Sequence, residues 1–204
     1  MNSVVYTADL DSGKAFWLSE DVKVDEWTQQ FFPKGLRAPI SDLLPWAHGD
    51  HYLRAEAPVA ESLRGVRAEG VREETVDGKR RVTMRLFAHD APYRMELRQT
   101  GGAPVTAATV AGVATTPGKD PFSLSFELFP AGGYEVVLET EPGDPPVFEA
   151  FASVYGFPSI PGVTPRPAHM VPEPNTMRNG ITLRSQHMYI TNRLEIAASP
   201  ADLQ

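Results

Sequence analysis

Two short clusters carry residue types from which a hydrolytic metal centre is built. His48-Gly49-Asp50 offers an imidazole and a carboxylate two apart, and Glu73-Glu74 offers adjacent carboxylates. Such groups can ligate zinc while a second carboxylate serves as general base. His51, three residues from His48, would add an imidazole if the segment formed a helical turn, but Gly49 favours an open loop. His89-Asp90 stands before Ala91-Pro92 and reads as a turn after a strand. No Gly-x-Ser-x-Gly elbow occurs, and the chain has no cysteine for a thiolate nucleophile, a metal or a disulfide.

The elements that must position these groups are β-strands. The chain has 204 residues, of which 42% are hydrophobic and 22% charged, enough for one substantial core. Its 16 Gly and 19 Pro exceed the share of about 12% found in an average chain, and they punctuate short alternating runs. Val4–Ala8 and Lys14–Leu18 flank the turn-forming Asp9–Gly13 and predict a hairpin. Gly70–Val76 and Arg80–Ala88 flank Asp77-Gly78-Lys79, the clearest hairpin of the chain. There Val82, Met84 and Leu86 alternate with Arg81, Thr83 and Arg85, one face dry and one wet. Glu73 and Glu74 then lie in a hairpin with their charges in solvent, so we expect no catalytic residue, no metal ligand and no cofactor site.

Strands are also expected at 93–98, 105–110, 122–128, 134–139, 147–154 and 181–185, with the glycines at 101–102 and 132–133 as hairpin turns. Asp25 before Glu26–Phe32, with Trp27 and Phe31 four apart, predicts one short amphipathic helix that Pro33 and Gly35 end. Leu36 to Trp46, broken by Pro39 and Pro45, should be irregular, with Leu43, Leu44 and Trp46 buried. Gly156 to Pro174 holds six prolines in 19 residues; its Phe157, Ile160, Val163 and Met170 favour a strap laid over the domain rather than a linker. The expected fold is mainly β, an antiparallel sandwich with one N-terminal helix. A single domain should span 1–198, with the strap at 156–174 and a loose tail at 199–204.

Nineteen Lys and Arg against 26 Asp and Glu give a net charge of −7 without a basic block, which excludes an electrostatic nucleic-acid footprint. No run approaches the roughly 18–20 apolar residues of a membrane span, and no basic-then-apolar leader opens the chain. Alone, the chain is expected to be neither exported nor inserted. The tryptophans at 17, 27 and 46 sit among other apolar residues, which favours core packing over an exposed ligand platform.

Three segments carry a resemblance: Asp11-Ser12-Gly13-Lys14-Ala15-Phe16-Trp17, Trp27-Thr28-Gln29-Gln30-Phe31 and Tyr155-Gly156-Phe157-Pro158. With Pro165–Pro172 and the β-rich middle, the stretch from Asn2 to Arg184 resembles the carboxy-terminal region of bacterial multi-pass membrane zinc aminopeptidases. These are similar to endoplasmic-reticulum metallopeptidase and vacuolar membrane protease, within the aminopeptidase Y type. The resemblance implies a non-catalytic, extracytoplasmic accessory domain of a zinc exopeptidase. It would pack on the peptidase domain of the same parent chain or guide peptide substrates, and would be tethered to the membrane through parent helices that lie outside this sequence. In that family the His-x-Asp and Glu-Glu ligands sit on loops of an α/β sheet, with further Asp and His ligands, a setting that neither His48-Gly49-Asp50 nor Glu73-Glu74 shares. Here Gln186–Gln204 continues past the point where the family's closing segment ends. The alternative expectation is a free-standing sandwich module that binds carbohydrate or protein.

Overall fold

Alternating apolar residues and tight turns give thirteen strands among the residues described by the computed structural model, which are 2–44, 52–88, 91–115, 121–172 and 187–197. The strands are β1 (Val5–Asp9), β2 (Lys14–Ser19), β3 (Arg37–Ala38), β4 (Tyr52–Ala57), β5 (Arg67–Val76), β6 (Lys79–Phe87) and β7 (Arg94–Gly101). They continue as β8 (Val105–Val110), β9 (Val113–Thr115), β10 (Ser123–Glu127), β11 (Tyr134–Thr140), β12 (Val147–Tyr155) and β13 (His187–Glu195). The fold is mainly β, as expected, with two sheets. The chain divides into two compact units, Met1–Leu63 with Val154–Ile190, and Arg64–Ser153 with Thr191–Gln204.

In the first unit the strand order is β13-β1-β2-β4-β3. The expected opening hairpin forms with Val5 opposite Leu18 and Tyr6 opposite Trp17. Because side chains alternate across a strand, this register sends Val5 and Leu18 to one face and Tyr6 and Trp17 to the other. On the first face Val5, Leu18, Tyr52 and Tyr189 pack with Ile40 and Leu44 from the proline-broken segment. Leu44 is fully buried, as the sequence predicts, whereas Leu43 is only half-buried. On the second face lie Tyr6, Trp17, Phe31 and Phe157.

The helix expected over Glu26–Phe32 is instead a single 3-10 turn, Thr28–Gln30. Asp25 Oδ1 accepts from the amides of Trp27 (3.0 Å) and Thr28 (2.7 Å), and the Thr28 carbonyl accepts from both Phe31 and Phe32 (3.0 and 3.2 Å). The carboxylate cap is present, but Pro33 and the left-handed Gly35 (φ +57) stop the chain before a second turn can repay helix nucleation.

In the second unit one sheet has the order β10-β7-β12-β13 and the other β5-β6-β11-β8-β9. The Asp77-Gly78 turn has both residues at positive φ (51° and 78°), as a two-residue hairpin requires. Val82, Met84 and Leu86 are buried, as are Val136 and Leu138 on β11, Met95 and Leu97 on β7, and Phe148, Ala150 and Ala152 on β12. The glycine pairs at 101–102 and 132–133 are not hairpin turns. Each joins a strand of one sheet to a strand of the other, β7 to β8 and β10 to β11. The reason for glycine is close approach: a Cβ on Gly102 would stand 2.0 Å from the Pro145 carbonyl oxygen, and one on Gly133 2.2 Å from that of Leu86.

The expected strand at 181–185, the tail at 199–204 and strap residues 173–174 lie outside the described residues. So does Trp46. The sequence pattern does not predict β3, β4, β9 or β13, and β3 places a two-residue strand, paired with β4, inside the 36–46 stretch expected to be irregular. Among the described residues no helix is long and apolar enough to cross a membrane.

Candidate functional site

The proline-rich segment is laid on the second face of the opening hairpin. Its aromatic anchor, Phe157, meets Trp17 edge-on at 5.4 Å between ring centroids and Phe31 at 6.2 Å. Trp17 and Phe31 are themselves 4.5 Å apart, and Trp27 meets Phe31 edge-on at 5.0 Å. Ile160 is buried, while Phe157, Val163 and Met170 are half-buried. Prolines cannot supply ladder donors, so apart from one backbone bond, from the Asn2 amide to the Val171 carbonyl, the polar ties to the segment are made by side chains.

Gln30 and Trp27 do most of that holding. The Thr164 amide donates to Gln30 Oε1 (2.8 Å), and the Thr164 carbonyl accepts from Trp27 Nε1 (2.8 Å) and Gln30 Nε2 (3.2 Å). Two residues on, the Arg166 guanidinium lies over the Trp27 ring and donates through Nη1 to the Asn2 carbonyl (3.3 Å). Its Nε and Nη2 are buried and find no acceptor among the described residues. Burial lowers the Arg166 pKa below its ordinary value, against the pull of Asp25 and Asp21. Asn2 Nδ2 donates to Asp25 Oδ2 at 2.7 Å, and the Asn2 amide donates to the Val171 carbonyl at 3.4 Å.

Asp25 is the electrostatic centre of this cluster. Burial raises its pKa, but hydrogen bonds from the Asn2 side chain, the Thr28 amide and hydroxyl and the Trp27 amide more than offset that, and the net shift is downward. None of these polar partners was singled out from the sequence, apart from Asp25 as a cap. The usable signals were separate: the two indoles and Phe31 near the start of the chain, and apolar residues with one arginine, Arg166, among the prolines of 156–174.

The candidate metal ligands meet a different fate, and only Glu74 has the solvent-exposed charge expected of both: Glu73, its neighbour on the strand, faces the other way and is half-buried. Glu73 takes a two-pronged ion pair from Arg80, Nε to Oε2 at 2.9 Å and Nη2 to Oε1 at 2.5 Å. Glu74 faces Arg81 at 3.6 Å, and Arg81 is shared with Glu139 at 2.8 Å. The Glu74–Arg81 and Arg81–Glu139 pairs follow from register, which sets each directly opposite the other, whereas Glu73 is opposite Val82 and reaches Arg80 along the diagonal. Across an antiparallel pair such charges stabilise each other. They leave the Glu73-Glu74 carboxylates engaged by guanidinium rather than gathered around a cation. Among the described residues no group of three or more His, Asp or Glu could hold a metal. His48, Asp50, His51, His89 and Asp90 lie outside the described residues.

Trp17 and Trp27 are each only 4% exposed, so neither offers a ring to solvent. The chain was compared with family models, curated proteins and solved structures, and none of the three comparisons gives a match.

Proposed function

We propose that this chain is a non-catalytic accessory domain of a membrane-bound zinc exopeptidase, working outside the cytoplasm, where it packs on the peptidase domain of its parent chain or guides peptide substrates to it. One observation carries the reading. Of the three segments on which the resemblance to those peptidases rests, 11–17 and 27–31 are close in sequence and 155–158 lies more than 120 residues further on, yet together they supply Trp17, Trp27, Phe31 and Phe157 to one aromatic cluster. Residues shared for catalysis would converge on a solvent-open cleft with titratable groups. Residues that converge on a dry cluster are those a domain needs in order to exist, which fits a resemblance at the level of a non-catalytic domain. The ion-paired Glu73 and Glu74 point the same way. In this reading the two dry-faced sheets of the second unit are the layers of a sandwich.

The reading frame of the gene tests it. Coding sequence continuous upstream of Met1, for a zinc peptidase followed by hydrophobic helices, is the expected result. A stop codon followed by a separate signal peptide would overturn it in favour of a free-standing binding module. Purified chain should also leave aminoacyl reporter peptides intact.

A further inference from the structure

We propose that the outer edge of β10 is a self-association edge, at which two copies of this chain pair antiparallel about a two-fold axis through Ser125. Edge strands are templates for pairing, and proteins ordinarily blunt them with shortness, bulges, charge or proline. The other described edges are blunted. β3 has two residues, β9 has three, and β5 is broken by a register shift between Glu69 and Arg72 with Gly70 at φ +60. β10 is Ser-Leu-Ser-Phe-Glu, five residues without bulge or proline, and no described strand pairs with its outer side.

The direction of its backbone groups follows from two bonds. Gln99 N–H donates to the Phe122 carbonyl and Leu128 N–H to the Tyr93 carbonyl, so residues 122, 124, 126 and 128 turn their backbone polar groups toward β7. In an antiparallel ladder the alternate residues turn theirs away. Those are Ser123, Ser125 and Glu127. A two-fold axis at Ser125 maps this set onto itself, Ser125 opposite Ser125 and Ser123 opposite Glu127, so every outward donor meets an outward acceptor.

The side chains fit the same register and identify the occupant as a second copy. On the solvent face Ser123 neighbours Arg98 and Glu127 neighbours Arg94, and Arg94 already approaches Glu127 at 3.9 Å. Pairing places Glu127 across from Ser123 of the second copy, with Arg98 of that copy on the far side, so each carboxylate lies between two guanidinium groups. At the axis two serines face each other, and no like charges are opposed. Leu128, 79% exposed at the end of the strand, comes opposite Phe122 of the second copy. A foreign strand would meet the same backbone groups but has no reason to match this charge row.

The chain has no cysteine, so Ser125→Cys reports the geometry directly. Across a hydrogen-bonded pair the two Cα atoms would lie about 5.5 Å apart, within disulfide range. Two Cys residues placed by Ser123→Cys would lie about 14 Å apart and could not close. With the full chain, mild oxidation should cross-link the Ser125→Cys protein at least about tenfold faster than the Ser123→Cys protein, a ratio far beyond differences in thiol reactivity. Unmodified chain should sediment progressively faster between roughly 10 μM and 1 mM, the range for a small interface. Ser125→Pro, which removes an outward amide and no bond to β7, and Ser125→Lys, which opposes two ammonium groups, should each abolish that dependence. Equal cross-linking rates, a sedimentation coefficient independent of concentration, or association that survives both substitutions would overturn the proposal. A chain that stays monomeric yet binds an added peptide along β10 would assign the edge to a foreign strand instead.

Discussion

The guanidinium carbon of Arg166 lies 4.3 Å from the centroid of the Trp27 ring, joining residues 139 positions apart in a chain where neither belongs to a strand. The contact sits under a proline-rich segment with few backbone donors, so side chains must supply the order that ladder bonds give elsewhere. Arg is suited to this, because its planar cation stacks on an aromatic face while its stem covers apolar surface.

Arg166→Ala should therefore destabilise the protein by about 1–2 kcal/mol, a fall in Tm of about 2–8 °C for a chain of this size. Arg166→Lys keeps the charge and loses the planar stacking, and should fall between the two. Differential scanning calorimetry checks both, and an unchanged Tm in Arg166→Ala would show that the contact carries no stability.

Asp25 makes stability depend on pH in one direction. Although burial works against its ionisation, the bonds it accepts from Asn2, Thr28 and Trp27 hold its pKa below the ordinary carboxylate value. A group with a depressed folded pKa adds stability above its unfolded value of about 3.9, and that stability is lost as pH falls through the folded value. Asp25→Asn should thus melt below the unmodified protein at neutral pH, with the gap closing as pH drops under about 4. Melts from neutral to acid pH measure it; a gap that stays constant would remove Asp25 as the source.

How legible the chain was depends on whether one face of an element is wet. The β5–β6 hairpin was readable because Val82, Met84 and Leu86 alternate with charged and hydroxyl residues around Asp77-Gly78. β13 was not, because His187, Met188, Tyr189 and Ile190 are all buried, and a strand covered on both faces has no period of two to see. The 3-10 turn shows a different limit. Asp25, Trp27 and Phe31 gave the right cap and the right apolar face, but side-chain spacing does not say whether one turn or two will form. At the strap, apolar anchors among the prolines were visible, whereas the bonds from Gln30 and Trp27 to Thr164 span more than 130 residues and leave no local pattern.

The two glutamates once suggestive of zinc should instead behave as partners of arginine. The Arg80 side chain is only 14% exposed and Glu73 26%, so Glu73→Ala leaves a largely buried cation unpaired, at a cost of about 1–3 kcal/mol. Glu74 is 61% exposed beside Arg81, and Glu74→Ala should cost less than about 1 kcal/mol. Urea denaturation measures both. Added zinc should raise the stability of neither variant nor parent; zinc-dependent stabilisation of the parent that either substitution removes would mean the carboxylates do bind metal.

Hydrogen exchange at Thr164 tests whether the strap is held as described. Pro165 and Pro167 have no amide and Arg166 lies between them, so Thr164 is one of the few reporters in this stretch. Its side chain is in a solvent-exposed position, and in a linker its amide would exchange at the rate of an unfolded peptide. Here that amide donates to Gln30 Oε1 at 2.8 Å, and the carbonyl of the same residue takes two donors, so Gln30 acts toward Thr164 as a strand neighbour would. Opening requires losing that pair and exposing Trp27, which should slow Thr164 exchange by at least about tenfold, since each 1.4 kcal/mol of opening free energy is a factor of ten. Gln30→Ala should release most of the protection at Thr164 while leaving the β1 and β2 amides unchanged, because no ladder bond passes through Gln30. Unprotected exchange at Thr164 in the unmodified protein would show the segment to be a linker resting on the surface.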